Sequence, residues 1–174
     1  MTPDCGCPSA YPPWHEQDVD LGGYRIHTLP IPTLIHMPLA YETYLQRQQR
    51  SIERLHLSEL WPGLVLTRTG LLRGSITRLL EDVPSLSRHV GYLPRPFQVR
   101  AYLHHGNVST IRQAVRDIQA QLLDDGSMPK ELYLCYLTCP RCAPQRGGDR
   151  ILLLRHWLKS NLLGKRRGAK AGRG

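Results

Sequence analysis

KELYLCYLTCPRCAPQRGGDRILLLRHWLK, residues 130–159, is the stretch that decides the fold. It holds two mostly apolar runs, residues 131–138 and 150–158, separated by an eleven-residue loop rich in cysteine, proline and glycine. Two runs of strand length around such a connection are typical of an antiparallel pair. The sequence therefore predicts an antiparallel sheet with a cysteine-bearing loop at one end.

Outward from this pair, apolar spacing predicts further strands and helices. The predicted strands are residues 24–29, 63–69 and 97–103, and the predicted long helices are residues 38–56 and 109–124. A short helix is predicted to begin at Ser75, which can cap its first turn, and to end at Pro84. Because strands and helices do not alternate strictly, we expect an α+β fold, a mainly antiparallel sheet with two or three packed helices.

The two ends of the chain differ in composition from its middle. Residues 1–20 contain four prolines and two cysteines, and they are predicted to form an arm laid on the surface. Residues 161–174 are mostly glycine and basic residues, and we expect a disordered, flexible basic tail. The residues between them, 21–160, predict a single α+β domain. No internal repeat is evident in the sequence.

The composition excludes several classes of protein. The 174 residues have a mean hydropathy of −0.36, and the longest apolar runs are far shorter than the roughly 20 residues that a membrane-spanning helix needs. The N-terminus is acidic without an apolar stretch, and the five cysteines are an odd number, so we expect a reducing, cytoplasmic setting. A membrane span, a secreted disulfide scaffold and a fully disordered chain are excluded.

The cysteines carry the sharpest chemical signal. Cys139 and Cys142 are separated by two residues, a spacing that lets both thiolates bind one metal ion. Cys5 and Cys7 are the available second pair, so the sequence predicts a zinc or other thiolate site that fastens the arm to the loop. His15 or Cys135 could replace one ligand, and five unrelated reduced cysteines are the plain alternative.

Two catalytic interpretations of the same cysteines fit less well. Cys135, Cys139 and Cys142 have the spacing of a radical iron–sulfur motif, but that chemistry needs a large barrel around the cofactor. Cys139-Pro-x-Cys142 also resembles the glutaredoxin active-site sequence, where the motif opens a helix that lowers the pKa of the thiol. Here the residues that follow, Ala-Pro-Gln-Arg-Gly-Gly, cannot continue as a helix.

Basic residues are concentrated in the later part of the chain. The net charge is +9; residues 1–60 contribute −3 and residues 61–174 contribute +12. The basic residues predicted to bind nucleic acid or an acidic protein partner are Arg141, Arg146, Arg150, Arg155, Lys165, Arg166 and Arg167. Base-composition bias or a merely solvated charge run would explain the same pattern.

Three segments resemble the chorismate-lyase-like fold: LRGSITRLLE at residues 72–81, the strand within residues 97–106, and KELYL at residues 130–134. The resemblance implies an antiparallel sheet enclosing a pocket for a small aromatic carboxylate, with Arg78, Arg100 and His104 as its polar residues. The enzymes place an arginine where this chain has His104, and their late catalytic glutamate has no counterpart, so lyase activity is not implied.

Taken together, the sequence predicts a small cytoplasmic, non-catalytic binding or accessory protein. It would have a structural zinc site at Cys5, Cys7, Cys139 and Cys142 and an arginine-rich face for nucleic acid or an acidic partner. The alternative is a chorismate-lyase-like pocket protein or lyase acting on a small aromatic carboxylate.

Overall fold

The two apolar runs at residues 130–159 form neighbouring antiparallel strands, with Cys135 opposite Leu152. The computed structural model that shows this describes residues 5–160. The predicted tail therefore lies outside the described residues, together with Lys165, Arg166 and Arg167. No helix in the described part is long and apolar enough to cross a membrane.

The described chain has nine strands and two α-helices. They are β1 (Gln17–Asp20), β2 (Arg25–Leu34), β3 (Met37–Pro38), α1 (Tyr41–Arg54), β4 (Leu66–Arg68), β5 (Arg73–Leu80), β6 (Val90–Tyr92), β7 (Gln98–His105), α2 (Arg112–Asp124), β8 (Ser127–Tyr136) and β9 (Arg150–Lys159). The strand order is β1-β7-β9-β8-β4-β5-β2-β3, and β6 also pairs with β2. Every pairing is antiparallel, which confirms the predicted mainly antiparallel sheet with two helices.

The architecture repeats although the sequence shows no repeat. The first half contains strand β2, helix α1 and the hairpin β4-β5, and the second contains strand β7, helix α2 and the hairpin β8-β9. In each half the last strand of the hairpin pairs with the first strand. The halves join in the middle of the sheet, where Thr67 of β4 lies opposite Leu134 of β8. Strand pairing and apolar burial thus impose the same layout on two unlike sequences.

The sheet buries apolar side chains on both faces. Ile151 and Leu153 of β9 pack against α2, whereas their neighbours Leu152 and Leu154 pack on the opposite face. This alternation follows from the two-residue period of a strand. The opposite face is covered in part by residues 5–16, called the arm below, whose Tyr11 and Trp14 pack against its core. The predicted arm of residues 1–20 is too long, because residues 17–20 form β1 and pair with β7.

The short helix predicted from Ser75 is wrong, because these residues form β5. Ile76 faces the α1 side of the sheet and Leu79 faces the other side, so the strand is buried on both faces. A strand covered on both faces has no polar alternation, and its apolar residues can then match a helical spacing. Ser75 lies opposite Pro30 of β2 and Arg68 of β4 and caps no helix.

Both predicted long helices exist but begin later than expected. Pro38 belongs to β3, and Ala40, in the left-handed conformation at φ 50°, precedes α1. Ser109 lies in a short 3₁₀ turn whose cap is Asn107; the Asn107 side chain accepts a hydrogen bond from the Ser109 backbone N–H at 3.0 Å. The α2 helix follows that turn.

Candidate metal centre

Cys5, Cys7, Cys139 and Cys142 come together at one end of the sheet. Their Sγ atoms all lie within 4.8 Å of one another, and those of Cys139 and Cys142 are 3.9 Å apart. A tetrahedron with zinc–sulfur bonds of about 2.3 Å has sulfur–sulfur edges of roughly 3.8 Å. The four cysteines are therefore close enough to hold one metal ion such as zinc.

The structure separates these four cysteines from the alternative ligands. Cys135 is fully buried within β8 and belongs to the apolar core. His15 Nδ1 accepts a hydrogen bond from the Leu103 backbone N–H at 2.9 Å, so this ring helps to fix the arm along β7. Neither residue is part of the four-cysteine cluster.

The loop pair forms a tight turn that points both sulfurs inward. The backbone N–H groups of Cys142 and Ala143 donate to the carbonyl of Cys139, at 3.1 and 2.9 Å. The Cys139 N–H in turn donates to the sulfur of Cys142 at 3.3 Å. Burial raises the pKa of Cys139, but N–H groups of Cys142 and Arg141 and the neighbouring thiols outweigh it and lower that pKa to about 7.

The arm pair needs a glycine between its cysteines. Gly6 has φ 76°, a left-handed conformation that lets Cys5 and Cys7 turn toward the same point. Burial raises the pKa of the Cys7 thiol, and hydrogen bonds to the other three thiols add to the effect. Four thiolates this close together repel one another, so a cation between them is needed for all four to ionise.

Two predicted partner-binding arginines contact the arm. Arg146 donates to the carbonyl oxygens of Pro8 at 2.7 Å and Leu137 at 3.3 Å. Arg150 lies 3.5 Å from the hydroxyl of Tyr11. These two guanidinium groups therefore hold the arm against the sheet.

The other two predicted arginines in the described part differ in exposure. Arg155 is half-buried on the α2 face, where its Nη2 lies 3.4 Å from Gln119 Oε1 and burial lowers its pKa. Arg141 is exposed in the cysteine loop. Of the four described arginines in the predicted surface, Arg141 alone is fully available to a partner.

The three residues predicted to line a carboxylate pocket have separate partners. Arg78 forms an ion pair with Glu59 at 3.0 Å beneath α1. Arg100 binds Asp18 and Asp125, both at 2.8 Å, and the Asp18 hydrogen bond is the main reason that its pKa is raised. His104 contacts the Thr110 hydroxyl at 2.9 Å. Each of the three side chains therefore bonds to different residues, and they share no bonding partner among these contacts.

A buried polar network between α1, β2 and β5 was missed by the sequence analysis. Gln48 Oε1 accepts from Arg78 Nε at 3.0 Å, and its Nε2 then faces the carbonyls of His27 and Ile76 and the Nδ1 of His27 at 3.2 Å. His27 Nδ1 must be unprotonated, so the neutral ring carries its proton on Nε2, 3.1 Å from Ser51 Oγ. That nitrogen cannot take the serine proton, so the pair is not arranged for nucleophilic catalysis. The one sequence signal for this network was Gln48, a polar residue within the apolar stripe of α1.

Comparisons with known proteins agree with this fold. The C-terminal domain of EcmrR has a similar structure, with a TM-score of 0.61 and 9 % identity over 82 % of this chain and 96 % of that one. EcmrR in a complex with DNA, EcmrR-RPo, gives a TM-score of 0.58 and 9 % identity over 82 % of this chain and 57 % of that one. At this identity the likeness shows the fold alone. No curated protein matches the chain.

A family model described as "Bacterial hydrolase" matches residues 1–156. This match and the structural neighbours overturn the chorismate-lyase-like resemblance. Its three segments fall largely on β5, β7 and β8. The aromatic-carboxylate pocket inferred from it is withdrawn as well. The chain belongs to the bacterial hydrolase family.

Proposed function

We propose that the chain is a small binding or accessory protein whose arm is fastened to the sheet by a structural zinc ion. The observation that supports this is the approach of four sulfurs, from Cys5, Cys7, Cys139 and Cys142, to within 4.8 Å of one another. Four protein thiolates fill a tetrahedral shell and leave no position for a catalytic water. A hydrolytic activity, which the family description suggests, would have to use other residues.

Metal analysis tests the proposal directly. Protein purified without added metal, under reducing conditions, is expected to contain a single zinc ion per chain. Cys7→Ser and Cys139→Ser should each remove it, while Cys135→Ala, which changes a cysteine outside the cluster, should keep it. Folded protein that contains neither zinc nor another thiolate-binding metal would contradict the proposal.

A second candidate function is contact with nucleic acid through a smaller basic surface than the sequence predicted. It is supported by the net charge of +9, by the exposed Arg141 in the cysteine loop and by the basic residues of positions 161–174. The arginines that contact the arm, Arg146 and Arg150, are left out of this surface. EcmrR, a protein of similar fold, is described in a complex with DNA, which makes duplex DNA the first ligand to test.

The test is the salt dependence of binding to a duplex oligonucleotide. Affinity should fall steeply between about 50 and 200 mM salt, because phosphate contacts release counterions. Replacing Lys165, Arg166 and Arg167 by glutamine should reduce the slope by about one for each lost contact. Replacing Arg47, Arg50 and Arg54 of α1 is the matched control. Binding that is absent or independent of salt excludes this candidate.

A further inference from the structure

A cleft of about 380 Å³ lies directly against the cysteine cluster. Cys5, Cys7 and Cys139 line it, whereas Cys142 is 6 % exposed and lies behind them. Three of the four cysteines of the cluster are therefore accessible from the cleft.

The other walls of the cleft are mostly apolar and aromatic, with Thr138 and Glu42 as further lining residues. The apolar and aromatic walls come from Pro38, Tyr41, Leu45, Val65, Tyr136 and Pro140. The hydroxyl of Tyr41 is hydrogen-bonded within the protein to that of Thr67, at 2.5 Å. Glu42 is the charged side chain in the lining, and with the thiolates it makes the cleft unfavourable for an anion.

We propose that the cleft admits a neutral, apolar alkylating agent and that one of the three lining cysteines accepts its alkyl group. This rests on the proposed zinc centre, which would hold the sulfurs as thiolates, the nucleophilic form, at neutral pH. A sulfur lone pair forms the new carbon–sulfur bond while the bond from carbon to the leaving group breaks. The leaving group departs as an anion with the bonding pair, the thiolate becomes a thioether, and no proton or oxidant is consumed.

The arm cysteines are the favoured acceptors. Cys139 and Cys142 both receive backbone N–H hydrogen bonds on their sulfurs, from the turn that they form. Such bonds draw negative charge from a thiolate and weaken it as a nucleophile. Cys5 and Cys7 face the same cleft from the arm and are expected to react first.

The experiment uses the full chain with its zinc content measured in the same sample. Benzyl bromide is the apolar probe and iodoacetate is the anionic one, and modified cysteines are identified by mass spectrometry of peptides. We expect a single benzyl group, on Cys5 or Cys7, added roughly ten-fold or more faster than to glutathione, because a free thiol is only a few per cent ionised at pH 7. Iodoacetate should show no such acceleration.

Two variants test whether the cleft is responsible. Leu45→Trp should fill the cleft and slow benzylation at least several-fold at unchanged zinc content. Glu42→Gln, at an exposed position, should speed the reaction with iodoacetate and leave benzylation unchanged. Cys135→Ala is the control for general effects and should alter neither rate.

The outcomes separate this proposal from the proposed function. Zinc-loaded protein that reacts with benzyl bromide no faster than glutathione does, or that shows the same acceleration over glutathione with both probes, overturns the alkyl-acceptor proposal alone. Folded protein without metal contradicts the proposed zinc centre and this proposal with it. If Leu45→Trp does not fold, the comparison of the two accelerations and the effect of Glu42→Gln decide the question.

Discussion

The guanidinium of Arg146 lies 2.7 Å from the carbonyl oxygen of Pro8. This hydrogen bond joins two segments that are far apart in sequence, the cysteine loop after β8 and the N-terminal arm. The same nitrogen also reaches the carbonyl of Leu137, just beyond β8, at 3.3 Å. The loop therefore contacts the arm at two points, through its cysteines and through this arginine.

Arg146→Ala should destabilise the protein. Two carbonyl groups would lose a charged donor, and the expected decrease in the free energy of unfolding is about 1–3 kcal/mol. Urea denaturation measures the change. Arg141→Ala, an exposed arginine in the same loop, is the control and should change stability by less than about 0.5 kcal/mol. Equal effects of the two substitutions would show that the Arg146 contacts contribute nothing.

Gly63→Ala should loosen the arm next to the metal centre. Gly63 has φ 84°, and a Cβ there would lie 2.9 Å from the carbonyl oxygen of Gly6 and 3.1 Å from the nitrogen of Pro8. Gly126 has a similar φ of 77° but open space around it, so Gly126→Ala is the control that measures backbone strain alone, roughly 1–2 kcal/mol. We expect Gly63→Ala to lower the free energy of unfolding, measured by urea denaturation, by more than Gly126→Ala does.

A zinc competition assay completes this comparison. Gly63→Ala should bind zinc more weakly than the unmodified chain because Gly6 separates two of the ligands, whereas Gly126→Ala should bind it with unchanged affinity. Equal zinc affinities in the two variants would mean that the arm reaches the cluster without support from Gly63.

The correct predictions came from patterns that are local in the sequence. The spacing of Ile118 and Leu122 identified α2, and the apolar runs around the cysteine loop identified β8 and β9. The approach of Cys5 and Cys7 to Cys139 and Cys142 was also predictable, since few residue types bind metal. The metal ion itself stays a prediction. Each of these rests on residue type and spacing alone.

The errors arose where tertiary contacts decide the outcome. Ser75 lies in a strand because β2 and β4 pair with it on both sides, which no local pattern reports. Arg146 looks like a surface charge in the sequence, but its partner Pro8 is 138 residues away. Gln48 is polar and still fully buried, because Arg78 and two backbone carbonyls satisfy its amide.

Removal of the metal should release the arm to protease. A strong chelator competes for the four thiolates, and the proposed anchor between Cys7 and Cys139 is then lost. Limited proteolysis with chymotrypsin should cut after Trp14, which is packed on the sheet core in the folded protein, at least several-fold faster than before chelation. Restoring zinc should restore protection. An arm that stays protected after complete zinc removal would show that packing alone holds it.

His27 should make stability depend on pH in the acidic range. The ring is fully buried, and burial, together with the charges of His89 and Arg78, lowers its pKa from 6.5 to about 4. Between these values the unfolded chain binds more protons than the folded one, so stability falls as the pH falls from about 6.5 to 4. The full loss is about 3 kcal/mol for this shift.

Replacing His27 by glutamine should flatten that dependence. His27→Gln removes the titrating ring while keeping an amide able to bond to Ser51 or Gln48, so the variant is expected to be less stable at pH 7 but to lose less on acidification. Urea denaturation at pH 4.5 and pH 7 gives the slope for each protein. His56→Gln, at an exposed position, should keep the slope of the unmodified chain. An unchanged slope in His27→Gln would assign the acid sensitivity to other groups, because only a group that titrates differently in the two states can produce it.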